Sequence, residues 1–420
     1  MRRAWPLTAR GLGALVLAAI SFVFANQWGL LELMYFSILL VALVGAGLAS
    51  LYLARRTEKV TRWLSPDVST VGQTTRVTIR VDMRTALPTA PGVWHDWLPE
   101  GLEGASGGTF PALSSGLRGA DHSLELAYDL EAVRRGVHYL GPLQLGASDP
   151  FGVAHRTDLV GDRSKVVVAP AIVDLAPLAS VSGDTGGTLS KTTNQLGQGT
   201  DNLTPRRYVS GDSMRRIHWR ATAHRDTLMV RQEEQESTPE ASVVFDRAQS
   251  RWSTAAAGSP GADPLFEVGV TACVSAVARL VREGFSVEVL DSDGRPLWDR
   301  IEAGDNDAIE AMTTHFATVT ARADTDLGRL ARLFTGLSTG PVVVITGRVD
   351  AAGAASLDAV PHHSALPLLL VAMPVADPLT AETLGHAEAA GWRAAPIGPG
   401  ADLAAAWISV IEQRGSRVLA

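Results

Sequence analysis

Residues 205–236 hold the densest set of groups able to do chemistry: PRRYVSGDSMRRIHWRATAHRDTLMVRQEEQE. Arg206, Arg207, Arg215, Arg216, Arg220, Arg225 and Arg231 alternate there with His218, Trp219 and His224, and Glu233, Glu234 and Glu236 follow. Guanidinium forks pair with carboxylates or phosphates. One reading is an internal ion-pair network in which Asp212 and the glutamates satisfy the arginines and dock the segment between domains. A second is a partner-docking surface. Catalysis and nucleic-acid binding are the third. Trp219 beside Arg220 could stack a base, but one Trp makes no wider aromatic platform. His218 and His224 do not share a helical face, which argues against a two-His metal site.

Other chemistry is harder to find. There is no G-x-S-x-G, H-E-x-x-H or paired-carboxylate motif. Cys273, the single cysteine, sits among Val270, Val274 and Val277 in an apolar helical pattern and reads as core. It excludes an intrachain disulfide and a Cys-rich zinc site. His362-His363 falls in a loop. The glycines from Gly183 to Gly199 do not match a phosphate loop, since Lys191 lacks the preceding Gly. No catalytic residue, cofactor or metal is expected. The net charge of −7 speaks against nucleic acid as a partner.

The elements that must carry this segment follow from the hydropathy pattern. The chain has 420 residues, 46% of them hydrophobic and only 19% charged. That pairing suggests a membrane segment beside globular domains. Residues 11–54 contain one charged residue, Glu32. The stretch is long enough for two membrane helices, near 11–26 and 33–53, broken at Asn26-Gln27-Trp28-Gly29. Arg2, Arg3 and Arg10 precede the pair, and Arg55, Arg56 and Lys59 follow it. Basic flanks on both sides place both ends, and the rest of the chain, in the cytoplasm. A cleaved signal peptide is the competing reading; the second apolar run and the missing small-x-small site speak against it. Residues 1–57 are thus a membrane anchor with the lipid bilayer as partner.

Residues 58–170 read as a β-sandwich-like domain. Val77, Ile79 and Val81 alternate with Thr78, Arg80 and Asp82. Similar runs recur at 123–130, 137–145 and 165–168. Trp94 and Trp97 are expected between the sheets. Asp149-Pro150-Phe151-Gly152 reads as a structural corner, with Phe151 plugging the sheet end. Residues 171–204, rich in Ser, Thr, Gly and Asn, are a flexible linker. In 205–239, Ser210 or Asp212 caps a short helix with Met214, Ile217 and Ala221 on one face. Residues 240–420 alternate strands and helices, which implies a parallel, doubly wound α/β sheet.

Two resemblances sharpen this. The pattern of Arg207, Tyr208, Gly211, Asp212, Arg216, Ile217, Trp219, Thr222 and Ala223, with Glu234 following, resembles the signature of the domain of unknown function 58 family. The 149–152 box and the order of parts are also similar to that family. The strand ending at Asp246 resembles the start of a von Willebrand factor type A domain, which binds a divalent metal through D-x-S-x-S and a later Thr and Asp. This chain has Asp246, Ala248 and Ser250, and Gly347 where the later Asp would stand. The resemblance therefore implies a degenerate site that holds no metal, and a protein-binding sheet end. The family resemblance implies a non-enzymatic adaptor in the cell membrane, multi-pass, partnered with a MoxR-type AAA+ ATPase. The alternative is a metal-dependent ligand-binding domain or hydrolase using the sheet end near Asp246.

Overall fold

A computed structural model of the chain describes residues 5–53, 57–84, 90–112, 122–178, 203–209, 214, 217–233, 238–323, 327–334, 339–349, 351–374 and 378–413. They fall into two units. The first is Met1–Ala171 with Ala255–Asp263 and Thr313–Thr320; the second is Ile172–Thr254 with Pro264–Met312 and Ala321–Ala420.

The first unit opens with helices α1 (Ala9–Trp28) and α2 (Leu31–Leu53). Thr8 caps α1, its side chain accepting from the Gly11 N–H, and Gly29 ends it at φ 68°. The break falls at Gly29, the last residue of the expected 26–29 stretch, so α1 runs on to Trp28. Polar Asn26 and Gln27 keep helical backbone, and the chain turns only where Gly takes the left-handed conformation. Both helices are long and apolar enough to cross a membrane. Leu12, Val16, Ile20, Val23, Ile38, Leu39 and Val41 are exposed along them, the pattern of helices that face an apolar solvent. The Ser37 hydroxyl donates to the Ala18 carbonyl at 2.8 Å between the two.

The strands that follow are β1 (Thr57–Ser65), β2 (Ser69–Thr70), β3 (Thr74–Arg84), β4 (Gly92–Asp96), β5 (Leu102–Gly104), β6 (Gly107–Phe110), β7 (His122–Ala132), β8 (Gly136–Leu140), β9 (Leu143–Ser148), β10 (His155–Val160) and β11 (Ser164–Ala169). They form sheets ordered β1-β3-β7-β5, β10-β9-β4-β6 and β2-β11-β8. Val77, Ile79 and Val81 point into a core shared with Trp94, Leu126, Leu143 and Val166, so every sheet contributes. Residues 137–145 are not one strand. They break at Gly141-Pro142 into β8 and β9, which belong to different sheets. Pro142 has no N–H to donate, and Gly141 stands at φ 86°. Trp97 is also not between the sheets. It is 49% exposed under the Arg163 guanidinium, while Trp94 is buried near the Tyr128 ring.

The second unit begins earlier than the linker reading allows. Residues 172–178 lie along a helix of the unit's core: the Val173 N–H donates to the Ser275 hydroxyl and the Leu178 N–H to Glu283. The Trp407 indole donates to the Ala176 carbonyl. Residues 179–202, most of the expected linker, lie outside the described residues. A hairpin follows, β12 (Leu203–Arg207) paired antiparallel with β13 (Met229–Glu233), carrying helix α3 (Trp219–Arg225) between them.

The remaining elements are β14 (Glu240–Phe245), α4 (Ala255–Gly258, which belongs to the first unit), α5 (Pro264–Arg282), β15 (Ser286–Asp291), β16 (Pro296–Ile301), α6 (Asn306–Phe316), α7 (Gly328–Phe334), β17 (Thr339–Thr346), α8 (Ala351–Ser356), β18 (Ser364–Ala372), α9 (Pro378–Ala389), β19 (Arg393–Ile397) and α10 (Leu403–Glu412). The sheet order is β16-β15-β14-β17-β18-β19. Its pairings are parallel except that β16 runs antiparallel at one edge. The expected all-parallel sheet missed β16 because its exposed side chains, such as Asp299 and Arg300, hide the strand pattern at a solvated edge. Helix α5 also passes a test of length and apolarity for membrane crossing. Here, however, it is a core helix, with Cys273 and most of its neighbours fully buried.

Candidate functional site

The strand order reverses direction between β14 and β17, and open α/β sheets bind ligands at the carboxyl ends of strands at such a point. Asp246 stands there, directly after β14, and Asp291 ends the neighbouring β15. Both are fully buried. The Asp246 carboxylate is therefore closed off from solvent. Its Oδ1 accepts from the Ala248 N–H at 3.1 Å and from the Arg251 guanidinium at 2.9 Å. Its Oδ2 accepts from the Thr346 hydroxyl at 2.8 Å. The Ser292 hydroxyl also bonds it. Burial pushes the Asp246 carboxyl above the ordinary carboxylate range, and Arg251, Thr346, Ala248 and Ser292 pull it back part of the way.

A short 3-10 turn, Gln249–Arg251, makes this arrangement. It folds the chain back over the strand ends, so that the Trp252 indole donates to the Asp246 carbonyl at 2.9 Å and packs edge-on against Phe266. The Arg348 N–H donates to the Arg251 carbonyl at 2.9 Å. Gly347 sits beneath the turn. A Cβ there would overlap the Arg251 carbonyl oxygen and lie 3.0 Å from the Trp252 ring. An Asp at 347 thus has no room.

A divalent cation does not fit this donor set. A hard cation needs several oxygens free to face it. Here a guanidinium stands against Asp246, and the backbone turn covers the place of the later acid. Ser250, expected in the degenerate site, is exposed on the turn, and Thr346 and Ser292 supply the hydroxyls instead. Beside this, Asp291 Oδ2 accepts from Arg247 and from Arg322, each at 2.8 Å. Arg322 reaches Asp293 at 2.7 Å. The sheet end is closed by arginine–aspartate pairs.

The Arg-rich segment is built differently. Its helix starts at Trp219, with His218 as N-cap: Nδ1 accepts from the Ala221 N–H at 3.1 Å. Of the expected helical face Met214, Ile217 and Ala221, only Ala221 lies in α3, and residues 210–213, 215 and 216 lie outside the described residues. Ile217, 6% exposed, instead bridges Val230 of β13, because the bridge satisfies its backbone and buries its side chain. The Thr222 hydroxyl accepts from the Met229 N–H and ties α3 to the hairpin. The Tyr208 N–H donates to the Leu228 carbonyl at 2.8 Å.

No residue of α3 is buried. Trp219 is 69% exposed, and Arg220, Ala223, His224 and Arg225 are exposed beside it. Val209, Met214 and Leu228 are exposed apolar residues of the same segment, and Arg207 is exposed on β12. Arg220 and Arg225 make no ion pair among the described residues. Gly211, Asp212, Arg216 and Glu234, and the proposed cap Ser210, lie outside the described residues. The structure brings Ile217, Thr222, Met229 and Val230 together under the hairpin and leaves Trp219 outward.

Sequence reasoning missed Arg251, Arg247, Arg322, Thr346, Ser292 and Asp291. One partial signal was available: Ala248 stands where a metal-site loop would carry a small hydroxyl. It also missed Arg135 of the first unit, which is buried and donates to the carbonyls of Phe316 and, at 2.8 Å, Val319.

Residues 204–275 match a family model described as "Protein of unknown function DUF58". The match covers the signature hairpin, β14 and part of α5. The chain is 21% identical over 356 residues to the uncharacterized protein YeaD of Bacillus subtilis (strain 168), covering 83% of this chain and 86% of that one. Among solved structures, the CARDB domain of a Pyrococcus furiosus protein covers 27% of this chain and 93% of its own, at 12% identity and a TM-score of 0.19. Part of native α2-macroglobulin from Escherichia coli covers 30% of this chain and 19% of its own, at 17% identity and a TM-score of 0.21. Neither likeness carries an argument.

Proposed function

We propose that this chain is a membrane-anchored interaction protein that docks a partner on the outward face of its signature hairpin. The observation that carries this is α3. A seven-residue helix with no buried residue leaves a Trp more than two-thirds exposed beside two arginines. A purely internal ion-pair network would bury those groups. Trp and Arg are the side chains on which binding energy concentrates at protein interfaces. The family resemblance supplies the partner class, a MoxR-type AAA+ ATPase, and the paired helices α1 and α2 supply the anchor in the cell membrane. A cytoplasmic placement of the remaining residues follows from the basic flanks.

A von Willebrand factor type A-like, doubly wound second unit supports the same reading. Asp246 ends the first central strand, and Thr346 reaches it from a later one. Its cation's place is taken by Arg251, so the sheet end serves as a fixed support. This chemistry disfavours the metal-dependent alternative. The test is crosslinking in native membranes followed by pull-down under several nucleotide conditions. The parent chain should recover an ATPase, and Trp219→Ala with Arg220→Glu should lose it at an unchanged melting temperature. Recovery of no ATPase by the parent chain, or equal recovery by the variant, sinks the proposal.

A further inference from the structure

The Asp149-Pro150-Phe151-Gly152 turn joins β9 to β10, and it is fastened to the ends of α1 and α2. The Asp149 carboxylate is buried and organises the turn, accepting from the Phe151 N–H at 2.9 Å and the Ala154 N–H at 2.6 Å. Gly152 takes φ 70°. The Thr8 hydroxyl, just before α1, donates to the Gly152 carbonyl at 2.7 Å, and the Thr8 N–H donates to the Val153 carbonyl. The His155 N–H donates to the Pro6 carbonyl at 2.8 Å.

Both helices approach the turn through glycine. A Cβ at Gly11 of α1 would overlap the Val153 carbonyl. One at Gly47 of α2 would lie 2.7 Å from the Val153 side chain and 2.9 Å from the Asp149 carboxylate. Arg156 of β10 donates to the Leu51 carbonyl and stacks over the Tyr52 ring at 5.1 Å. These contacts bury the corner itself and leave Phe151 53% exposed, with Trp5 and Tyr52 also exposed nearby in the chain's path.

Helix length sets the depth. The 20 residues of α1 span about 30 Å at about 1.5 Å per residue, the thickness of a bilayer's hydrocarbon core. With Trp28 at one interface, Thr8 stands at the other, and the turn bonded to it stands there too. Apolar side chains such as Phe bury at the headgroup–acyl boundary when an anchored element holds them there. The bonds from Thr8 to the Gly152 and Val153 carbonyls set exposed Phe151 beside the start of α1.

We propose that this turn is a membrane foot: Phe151 rests at the headgroup–acyl boundary and fixes the height of the β sheets on the bilayer. The role rests on α1 and α2 crossing the membrane, and the experiment separates the two. The full chain, with an environment-sensitive fluorophore on Phe151→Cys, is reconstituted into phosphatidylcholine–phosphatidylglycerol vesicles carrying nitroxide high on the acyl chain. Cys273 is fully buried and stays unlabelled in the folded chain. Leu17→Cys, exposed on α1, reports crossing. Leu159→Cys, exposed at the far end of the β9–β10 hairpin, stands roughly 13 Å along the strand from the turn. Quenching at 151 should exceed that at 159 several-fold and approach that at 17. Quenching at 17 but equally weak quenching at 151 and 159 overturns the foot and leaves the anchor standing. No quenching at 17 removes both.

Discussion

The β-rich unit and the α/β unit each bury an arginine against an aspartate, and the two pairs are set differently. Arg62 of β1 meets Asp96 of β4, with Nη2 to Oδ1 at 2.8 Å and Nε to Oδ2 at 3.2 Å. The Tyr128 hydroxyl of β7 donates to the same carboxylate at 2.9 Å. The side chains of Arg62 and Asp96 are 1% and 0% exposed. These strands belong to two different sheets, so the pair bolts one sheet to the other through their shared core. Arg251 meets Asp246 from five residues away on the same connection, at 2.9 Å, and remains 14% exposed. One pair is long-range, forked and sealed from solvent; the other is local and reaches solvent. The first holds a core closed; the second closes a place where a sheet of this topology would otherwise present a carboxylate.

Breaking the bolt should give the largest effect. Arg62→Ala leaves the Asp96 carboxylate buried with Tyr128 as its remaining donor. Removing one member of a buried pair destabilises by about 3–5 kcal/mol. Tyr128→Phe removes one hydrogen bond to the charged acceptor and should cost about 1.5–3 kcal/mol. Denaturant unfolding of the detergent-purified chain measures both. An Arg62→Ala effect under 1 kcal/mol would remove the distinction between bolt and plug.

Arg251→Met should sit lower, near 3 kcal/mol, because Arg251 already reaches solvent and its loss lets water approach Asp246. This pair also carries a pH signature. The folded Asp246 carboxyl lies above its unfolded range, so the folded state holds the proton more tightly. That contribution is fully present below the unfolded carboxyl range, near pH 3.9, and is lost as pH rises through the folded value. Arg251 limits the loss. Without it the folded value climbs further, and the Met variant should lose more stability than the parent between about pH 4 and 7. Parallel stability–pH curves for the two proteins would break this account. Divalent ions should leave the parent's melting temperature unchanged, since the guanidinium already faces the carboxylate.

How much of this could be read from the chain alone depends on where each constraint is written. The alternation of Val77, Ile79 and Val81, the strand before Asp246 and the paired apolar helices are local patterns, and the structure has them near the expected residues. The arrangement of Asp246 is half local. Ala248 and Gly347 announced an altered site, but Arg251 looked like any surface arginine until the 3-10 turn brought it back. Arg62 and Asp96 lie 34 residues apart in different sheets, and nothing in either neighbourhood marks them as partners. Trp94 and Trp97 show the limit of composition: three residues apart, one is core and the other lies under Arg163. Phe151 failed for the opposite reason. A turn apolar enough to plug a sheet end was read as buried, whereas Asp149 fills the corner and turns the ring outward.

The exposed arginines of α3 complete the comparison and should give the smallest stability effect. Arg220 and Arg225 have the same guanidinium as Arg62 and Arg251, but they stand in solvent on a helix with no buried face. Truncating an exposed side chain away from caps and cores changes stability by about 0.5 kcal/mol or less. Arg220→Ala, Arg225→Ala and Trp219→Ala should each fall within that range in the same unfolding experiment that reports Arg62→Ala. Thr222→Val is the internal control. It removes the acceptor of the Met229 N–H, a buried backbone donor that ties α3 to its hairpin, and should cost about 1–3 kcal/mol. If Trp219→Ala destabilises as much as Thr222→Val, the ring is packed in the folded chain and the outward docking face is lost. If it does not, the stability of α3 resides in Ile217, Thr222 and the β13 backbone, and Trp219 is left for a partner.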